Sequence, residues 1–414
     1  MTENSCPHTA SPLGTRYQPF SGEQLEDPYA FYAIARREEP IFFSDMLKMW
    51  ILTRYDDVRA VLREPNLFSS KDSIKSIDSL CPEALAVLRT GVPPVPFIIN
   101  TDPPEHSRFR RVINRAFSGA RIQALEPQIR TITQSLLDAL APQGSAEVIS
   151  ALAFPLPLRV IARLCDIDTR HIEHLKRWNL DFLALMSSVM SPERQVTVAQ
   201  SVVAYQHFMR EHIARKREHP GEDITSALIA GGGDAPFSEP ELVYQMMGLV
   251  FAGHETVTHL ISNALSHLLR EPTRWAELVA HPVAIPTAIE EVLRIEPPIP
   301  TFIRTATADT ELGGIRIAAG ENVLVVFGSA NHDEHHFPEP ERFDLHRHSE
   351  SAHMSFGWGT HFCSGAQLAR LEGRIVLEAL TARWPNLRLA PGQQLHWLPT
   401  LMFRGVERLE IEWS

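Results

Sequence analysis

No apolar run in this chain approaches the roughly 20 residues that a membrane-spanning helix requires, and residues 1–20 lack the basic start and apolar stretch of a secretory leader. A membrane partner is therefore not expected, and a cytoplasmic location is. Cysteine is scarce: Cys6, Cys81, Cys165 and Cys363 stand far apart, with no disulfide-framework spacing, which fits a reducing compartment. Positive charge is also in deficit, with 39 Lys and Arg against 50 Asp and Glu and a formal net charge of -11. That balance argues against nucleic acid or an anionic membrane as a general partner. There is no Gly-x-Gly-x-x-Gly opening a helix after a strand and no ferredoxin-type cysteine run, so neither a dinucleotide nor an iron–sulfur cluster is expected here. Linker-like Ser/Gly tracts are missing as well. One large domain over 21–414 is expected, with 1–20 as a poorly ordered extension, in a monomer.

What is present is mostly helical periodicity, over 105–140, 153–187, 193–218, 238–270, 283–295 and 364–383. Strand-like pieces fall near both ends, at 41–44, 49–53, 301–307, 321–327 and 406–412. The expected fold class is mainly α with a minor β portion. Ser238-Glu239-Pro240-Glu241 forms a capping box with proline in the first turn. No further proline occurs before Arg270, which allows a helix of about 30 residues, or about 45 Å. Its middle, Ala252-Gly253-His254-Glu255-Thr256, places a poor helix former and a carboxylate among Phe251, Val257 and Leu260. A locally frayed helix with a solvated Glu is the plain alternative to a functional site.

Phe356-Gly357-Trp358-Gly359-Thr360-His361-Phe362-Cys363-Ser364-Gly365 sets a cysteine in a glycine-bracketed loop where a helix begins. Unpaired N–H groups and the helix dipole favour thiolate there, so the loop is suited to present a sulfur anion. A buried structural cysteine is the alternative. The segment resembles the haem-binding loop of the cytochrome P-450 superfamily, Phe-x-x-Gly-x-x-x-Cys-x-Gly, with Phe356, Gly359, Cys363 and Gly365 in the four positions.

That resemblance implies a P-450 fold, haem b (iron protoporphyrin IX) ligated axially by Cys363, and O2 as co-substrate. Ala252, Gly253, Glu255 and Thr256 match the family's central helix, which implies room for oxygen at Gly253, a hydroxyl contact from Thr256 and proton relay by Glu255. Glu291-x-x-Arg294 followed by Pro340-Glu341-Arg342-Phe343 matches the family's buried Glu–Arg–Arg network, while Asn331-His332-Asp333-Glu334 departs from the commoner Asn-Arg-Asp-Pro. His106 and Arg110, four apart on one helix face, Arg304 in a strand and His361 in the loop imply partners for the haem propionates. Phe356, Gly357 and Gly365 would pack on the haem. Pocket walls are expected at Val95, Phe97, Ile98, Leu183, Leu185, Leu249, Val250, Ile299, Pro300, Phe302 and Met402. All are apolar, which implies a small, mainly hydrophobic organic substrate.

The implied reaction is insertion of one oxygen atom, as hydroxylation or dealkylation, with electrons from NAD(P)H through a ferredoxin- or flavodoxin-type donor and its reductase. The overall pattern is similar to haem domains of bacterial self-sufficient members. Arg108, Arg111 and Arg115 are expected to form either a solvated face or a basic docking patch. His332, His335, His336, His346, His348 and His353 fit no common zinc-protease spacing and read as solvated loop histidines. A peroxide-driven enzyme, a non-catalytic haem sensor or carrier, and a haem-free helical protein stay as alternatives.

Overall fold

In the computed structural model, the described residues are 11–74, 80–187, 190–231, 236–347 and 350–414. Helices dominate. The longest, Glu239–Arg270, starts from the expected capping box: Glu241 accepts the Ser238 N–H at 2.7 Å, and the Ser238 hydroxyl accepts the Glu241 N–H at 3.4 Å. Most of its length is buried, because helices pack on several sides: Pro155–Leu164, Pro192–Glu218, Ile285–Ile295 and Ala366–Arg383. One apolar cluster joins Leu260 and Leu265 to Leu137, Ile289 and Leu377. Another joins Val243, Met246 and Val250 to Leu158, Leu175 and Tyr205. The long helix is thus the wall between two cores.

Two expected helices are broken. The 105–140 stretch is Glu105–Ala116, Gly119–Ala124 and Glu126–Leu140, interrupted where Ser118 turns extended and where Pro127 starts a new helix. The 153–187 stretch divides into Pro155–Leu164 and Ile172–Ser187, because Asp166 adopts φ 52° and Asp168 caps a short 3₁₀ turn. These breaks let successive helices turn around the central one.

A five-stranded sheet lies to one side, in the order Ile41–Ser44, Met49–Leu52, Asn322–Val326, Thr301–Ala306, Phe68–Ser69. Its antiparallel pairing sets Arg304 opposite Val323. The 406–412 expectation shortens to Glu410–Glu412, which pairs with Ser145–Glu147 and Arg388–Leu389, while Val406 makes one isolated bridge to Trp397. The proposed extension needs correction too. Residues Pro12–Arg16 form a helix, and Leu13 and Tyr17 enter a core with Phe31 and Phe42; of residues 1–20, 1–10 lie outside the described residues. No described helix is long and apolar enough to cross a membrane.

Candidate functional site

A cavity of about 230 Å³ lies between the long helix and the cysteine loop. Leu249, Ala252, Gly253, Thr256, Val257 and Leu260 face it from the helix, and Phe356, Gly357, Cys363, Gly365, Leu368 and Ala369 from the loop and the helix after it. The loop conformation needs its glycines. Gly357 and Gly359 have φ of 70° and 67°, and a Cβ on Gly359 would lie 2.7 Å from the Leu62 carbonyl oxygen. The Cys363 N–H donates to the Phe356 carbonyl at 2.8 Å, which turns the sulfur into the cavity.

Burial raises the Cys363 thiol pKa, and that outweighs the lowering by the Gly365 and Ala366 N–H groups and by Arg110 and Arg370. Cys363 is exposed and lines the cavity. The expectation that the helix terminus favours thiolate is met only in part: its N–H groups lower the thiol, but burial raises it more.

At one rim stand His106, Arg110, Arg304 and His361. His106 and His361 are 4.2 Å apart ring to ring, and the Nε2 of each is buried without a partner. Burial first, and neighbouring cations second, lower His106 to about 4 and His361 to about 3, so both are neutral donors near pH 7. Arg304 is 6% exposed and donates through Nη1 to the Ser73 hydroxyl at 3.0 Å and the Ile303 carbonyl at 2.8 Å. Among the described residues no carboxylate pairs with Arg304 or Arg110, and burial pulls Arg304 down to about 10. Buried cations and orphaned donors without an anion are expensive. These residues fit a bound group that carries carboxylates at this rim, as haem does.

The oxygen-side pair divides. Thr256 faces the cavity and donates its hydroxyl to the Ala252 carbonyl at 2.9 Å. Glu255 is 5% exposed and points elsewhere, with Oε1 3.5 Å from His254 Nδ1 and Oε2 3.9 Å from His259 Nε2, neither a formed hydrogen bond. Neighbours on a helix diverge by about 100°, so one cannot share the other's face. Burial raises Glu255 to about 7. The expected role of Gly253 is also corrected. It borders the cavity, but its missing side chain points at Ile161, where a Cβ would meet Cδ1 at 3.0 Å. Sequence reasoning missed Glu372, a cavity-lining carboxyl that is fully buried with both oxygens unpartnered and its pKa pushed well up by burial. The signal was there: an acid flanked at helical spacing by Leu368, Leu371 and Ile375.

Of the expected pocket residues, Ile98, Leu249, Ile299 and Phe302 line the cavity. Val95, Phe97, Leu183, Leu185, Val250, Pro300 and Met402 do not. Val250 is fully buried on the helix face away from it, and Leu183, Leu185 and Met402 pack against that same core. Pro300 lies beside Gly328, Phe97 is buried on Gly248, and Val95 is half-buried outside the wall. Ile99 lines it unpredicted.

Glu291 and Arg294 pair as expected, Nε to Oε2 and Nη2 to Oε1 both at 2.8 Å, but the second arginine is Arg347. Arg342 is corrected: its side chain is exposed and pairs with Glu339, and only its carbonyl joins the network, accepting from Arg294 and Arg347. His332 is buried rather than solvated, stacked on Tyr29 at 4.0 Å and bonded to Glu341 and the Ile295 carbonyl. Among the described residues no His, Cys, Asp and Glu group could hold a metal, and His348 lies outside them. Arg108 is not free for docking; it pairs with Glu241 and lies over the Phe237 ring, while Arg111 and Arg115 are exposed.

A family model described as Cytochrome P450 matches residues 41–280 and 284–387. Cytochrome P450 107B1 of Saccharopolyspora erythraea is 38% identical over 95% of this chain and 96% of its own length. Nocardicin C N-oxygenase of Nocardia uniformis subsp. tsuyamanensis is 34% identical over 96% of this chain and 99% of its own. Among solved structures, the Tepidiphilus thermophilus P450 haem domain superposes with a TM-score of 0.92, at 32% identity and 97% of each chain. An intact type IV self-sufficient cytochrome P450 monooxygenase gives 0.93 at 34% identity, over 97% of this chain, which spans about half (53%) of that one.

Proposed function

The chain belongs to the cytochrome P450 family of oxygen-incorporating oxidoreductases, and from that premise we propose a haem-thiolate monooxygenase that inserts one atom of O2 into a mainly hydrophobic small organic molecule. Hydroxylation, or dealkylation by the same chemistry, is the expected outcome. The observation that carries this reading is one cavity faced by the Cys363 sulfur and the Thr256 hydroxyl, with an unpaired cationic rim at Arg110 and Arg304.

Haem b held through Cys363, and at its carboxylates by His106, Arg110, Arg304 and His361, would supply the oxygen and electron chemistry when bound. The chain's own residues do the rest. The Gly365 and Ala366 N–H groups steady charge on the sulfur. Thr256 offers a hydroxyl in an otherwise apolar stretch of wall. Glu255, raised to about 7, is divided between its protonated and charged forms near pH 7 and lies outside the lining, so its carboxyl must rotate to reach the cavity. A second carboxyl, Glu372, faces the cavity, and burial raises its pKa well above the ordinary value.

Electrons would come from NAD(P)H through a ferredoxin- or flavodoxin-type donor with its reductase. Ser364 donates to Asn114 at 3.4 Å, which sets the exposed Arg111, Arg115 and Phe362 beside the cysteine loop as a surface suited to an acidic donor. Monomeric, cytoplasmic operation fits the same reading. The test is the absorption spectrum of the reduced protein with carbon monoxide, followed by turnover with NAD(P)H and a donor system against turnover with hydrogen peroxide. A strongly red-shifted Soret band and donor-driven product are expected. Failure of haem-supplemented protein to give that band would overturn the thiolate assignment, and product from peroxide alone would point to the peroxide-driven alternative.

A further inference from the structure

Glu290 and Glu291 are neighbours on the Ile285–Ile295 helix, so their side chains diverge by about 100°. Glu291 enters the buried network with Arg294 and Arg347, while Glu290, its side chain 42% exposed, meets the helix that follows the cysteine loop. There Arg370 grips it twice, Nε to Oε1 at 2.6 Å and Nη2 to Oε2 at 2.8 Å. His353 joins from the segment ahead of Phe356. Its Nδ1 accepts the Ser355 N–H at 3.3 Å, which leaves Nε2 as the donor to Glu290 Oε2 at 3.2 Å. Expected as a solvated loop residue, His353 is instead only 9% exposed in its side chain.

The Arg370 guanidinium also lies over the Phe356 ring, 4.5 Å from its centroid, a cation–π contact. The ring is approached from fixed points. The Met354 N–H donates to Asn331 Oδ1 at 2.7 Å and the Ser355 hydroxyl to the Leu293 carbonyl at 2.5 Å. Beyond the ring, the Phe356 carbonyl holds the Cys363 N–H at 2.8 Å. Phe356 lines the cavity and Arg370 does not, so the charge lies behind the ring. The ion pair thus turns its positive member toward the haem site.

We propose that Arg370, oriented by Glu290 and His353 and stacked on Phe356, is a positioning residue whose charge sets the reduction potential of haem in this cavity. The proposal rests on the haem-thiolate reading. The step it governs is the passage of one electron from the donor to the bound iron, ferric to ferrous, with the Cys363 ligand kept and no bond made or broken. That step makes the site one unit more negative, so a cation held nearby favours the ferrous side.

The test is spectroelectrochemical titration of the haem-loaded enzyme without substrate, at low and at high salt. Arg370→Gln should move the equilibrium toward ferric by roughly three- to tenfold at low salt, tenfold being ~59 mV for one electron. The difference should shrink at about 1 M salt, because the pair is partly exposed and screened. Arg370→Lys keeps the charge and should recover most of the shift. Glu290→Gln removes the anion and leaves the cation, so it should move the equilibrium toward ferrous. Shifts of the same direction in Arg370→Gln and Glu290→Gln would overturn the proposal, since a loop merely loosened would give that result. An Arg370→Gln equilibrium within twofold of the natural protein at low salt would overturn it as well. Lack of the red-shifted carbon monoxide band in every protein would instead sink the haem-thiolate reading beneath it.

Discussion

Arg347 closes the Glu291–Arg294 pair from the far side, its Nε 3.0 Å from both Glu291 oxygens and its side chain 10% exposed. Glu291 also accepts the Asp344 N–H at 3.0 Å, and Arg294 donates to the Asn331 and Pro340 carbonyls at 3.0 and 2.8 Å. Each charge in this buried set is held by the others. Removing one partner leaves its neighbours uncompensated, a loss of about 3–5 kcal/mol for a buried pair. Arg347→Ala should therefore lower the melting temperature sharply and reduce haem content per chain. Arg342→Ala, on an exposed side chain, should stay within about 0.5 kcal/mol of the natural protein. Equal losses in the two variants would refute the assignment.

Thr256 carries the wall's hydroxyl at the middle of the long helix, and no other residue of that stripe replaces it. Thr256→Ala should cut coupled turnover roughly tenfold or more, on the scale of a lost proton-transfer group. Product per NAD(P)H consumed should fall while hydrogen peroxide release rises. Thr256→Ser, which keeps the hydroxyl, should recover most of the coupling. Intact coupling in the alanine variant would remove Thr256 from the reaction.

Burial raises Glu255 from an ordinary value of 4.5 to about 7, so the folded protein keeps this proton where the unfolded chain has released it. Stability linked to Glu255 therefore declines as pH climbs from about 4.5 through about 7. His254 and His259, lowered to about 3 and about 4 by burial, act oppositely, because the unfolded chain binds their protons around and below 6.5. Their contribution is the same with and without the carboxyl, so between pH 6.5 and 8 the natural protein should lose roughly 1 kcal/mol relative to Glu255→Gln. Denaturant melts of the two proteins across that interval give this difference. Parallel curves for the two proteins would mean that the carboxylate is already ionised in the fold.

Much of this site was legible because its elements are punctuated locally. Ser238 with Glu241 fixed where the long helix starts, and the glycines around Cys363 marked a loop whose backbone needs positive φ. What was not legible depended on side-chain direction and on segments far apart in the chain. Glu255 and Thr256 are adjacent in sequence yet face different environments, a matter of helix phase against neighbours. Arg342 stands in the familiar motif, but the chain doubles back through Asp344 and delivers Arg347 to Glu291 instead. Phe97 was expected in the wall and is buried behind it, because Gly248 on another element happens to leave it a seat. The breaks at Ser118 and Asp166 were hidden inside continuous apolar periodicity.

The rim separates charged from neutral donors, and that difference should be measurable as haem retention. Arg304 and Arg110 are cations with no carboxylate partner among the described residues, whereas His106 and His361 are neutral imidazoles near pH 7. A hydrogen bond from a charged donor is worth about 1.5–3 kcal/mol and a neutral one about 0.5–1.5 kcal/mol. With a tenfold change for each ~1.4 kcal/mol, Arg304→Leu should speed haem loss by roughly 10- to 100-fold and His361→Phe by roughly tenfold or less. Transfer of haem to excess apomyoglobin gives these rates directly. Arg304→Lys should fall between, since it keeps the charge but loses the planar fork that donates to Ser73 and the Ile303 carbonyl. If His361→Phe released haem faster than Arg304→Leu, the carboxylate-binding role would belong to the histidine, and the buried cation at the strand would need another anion to explain it.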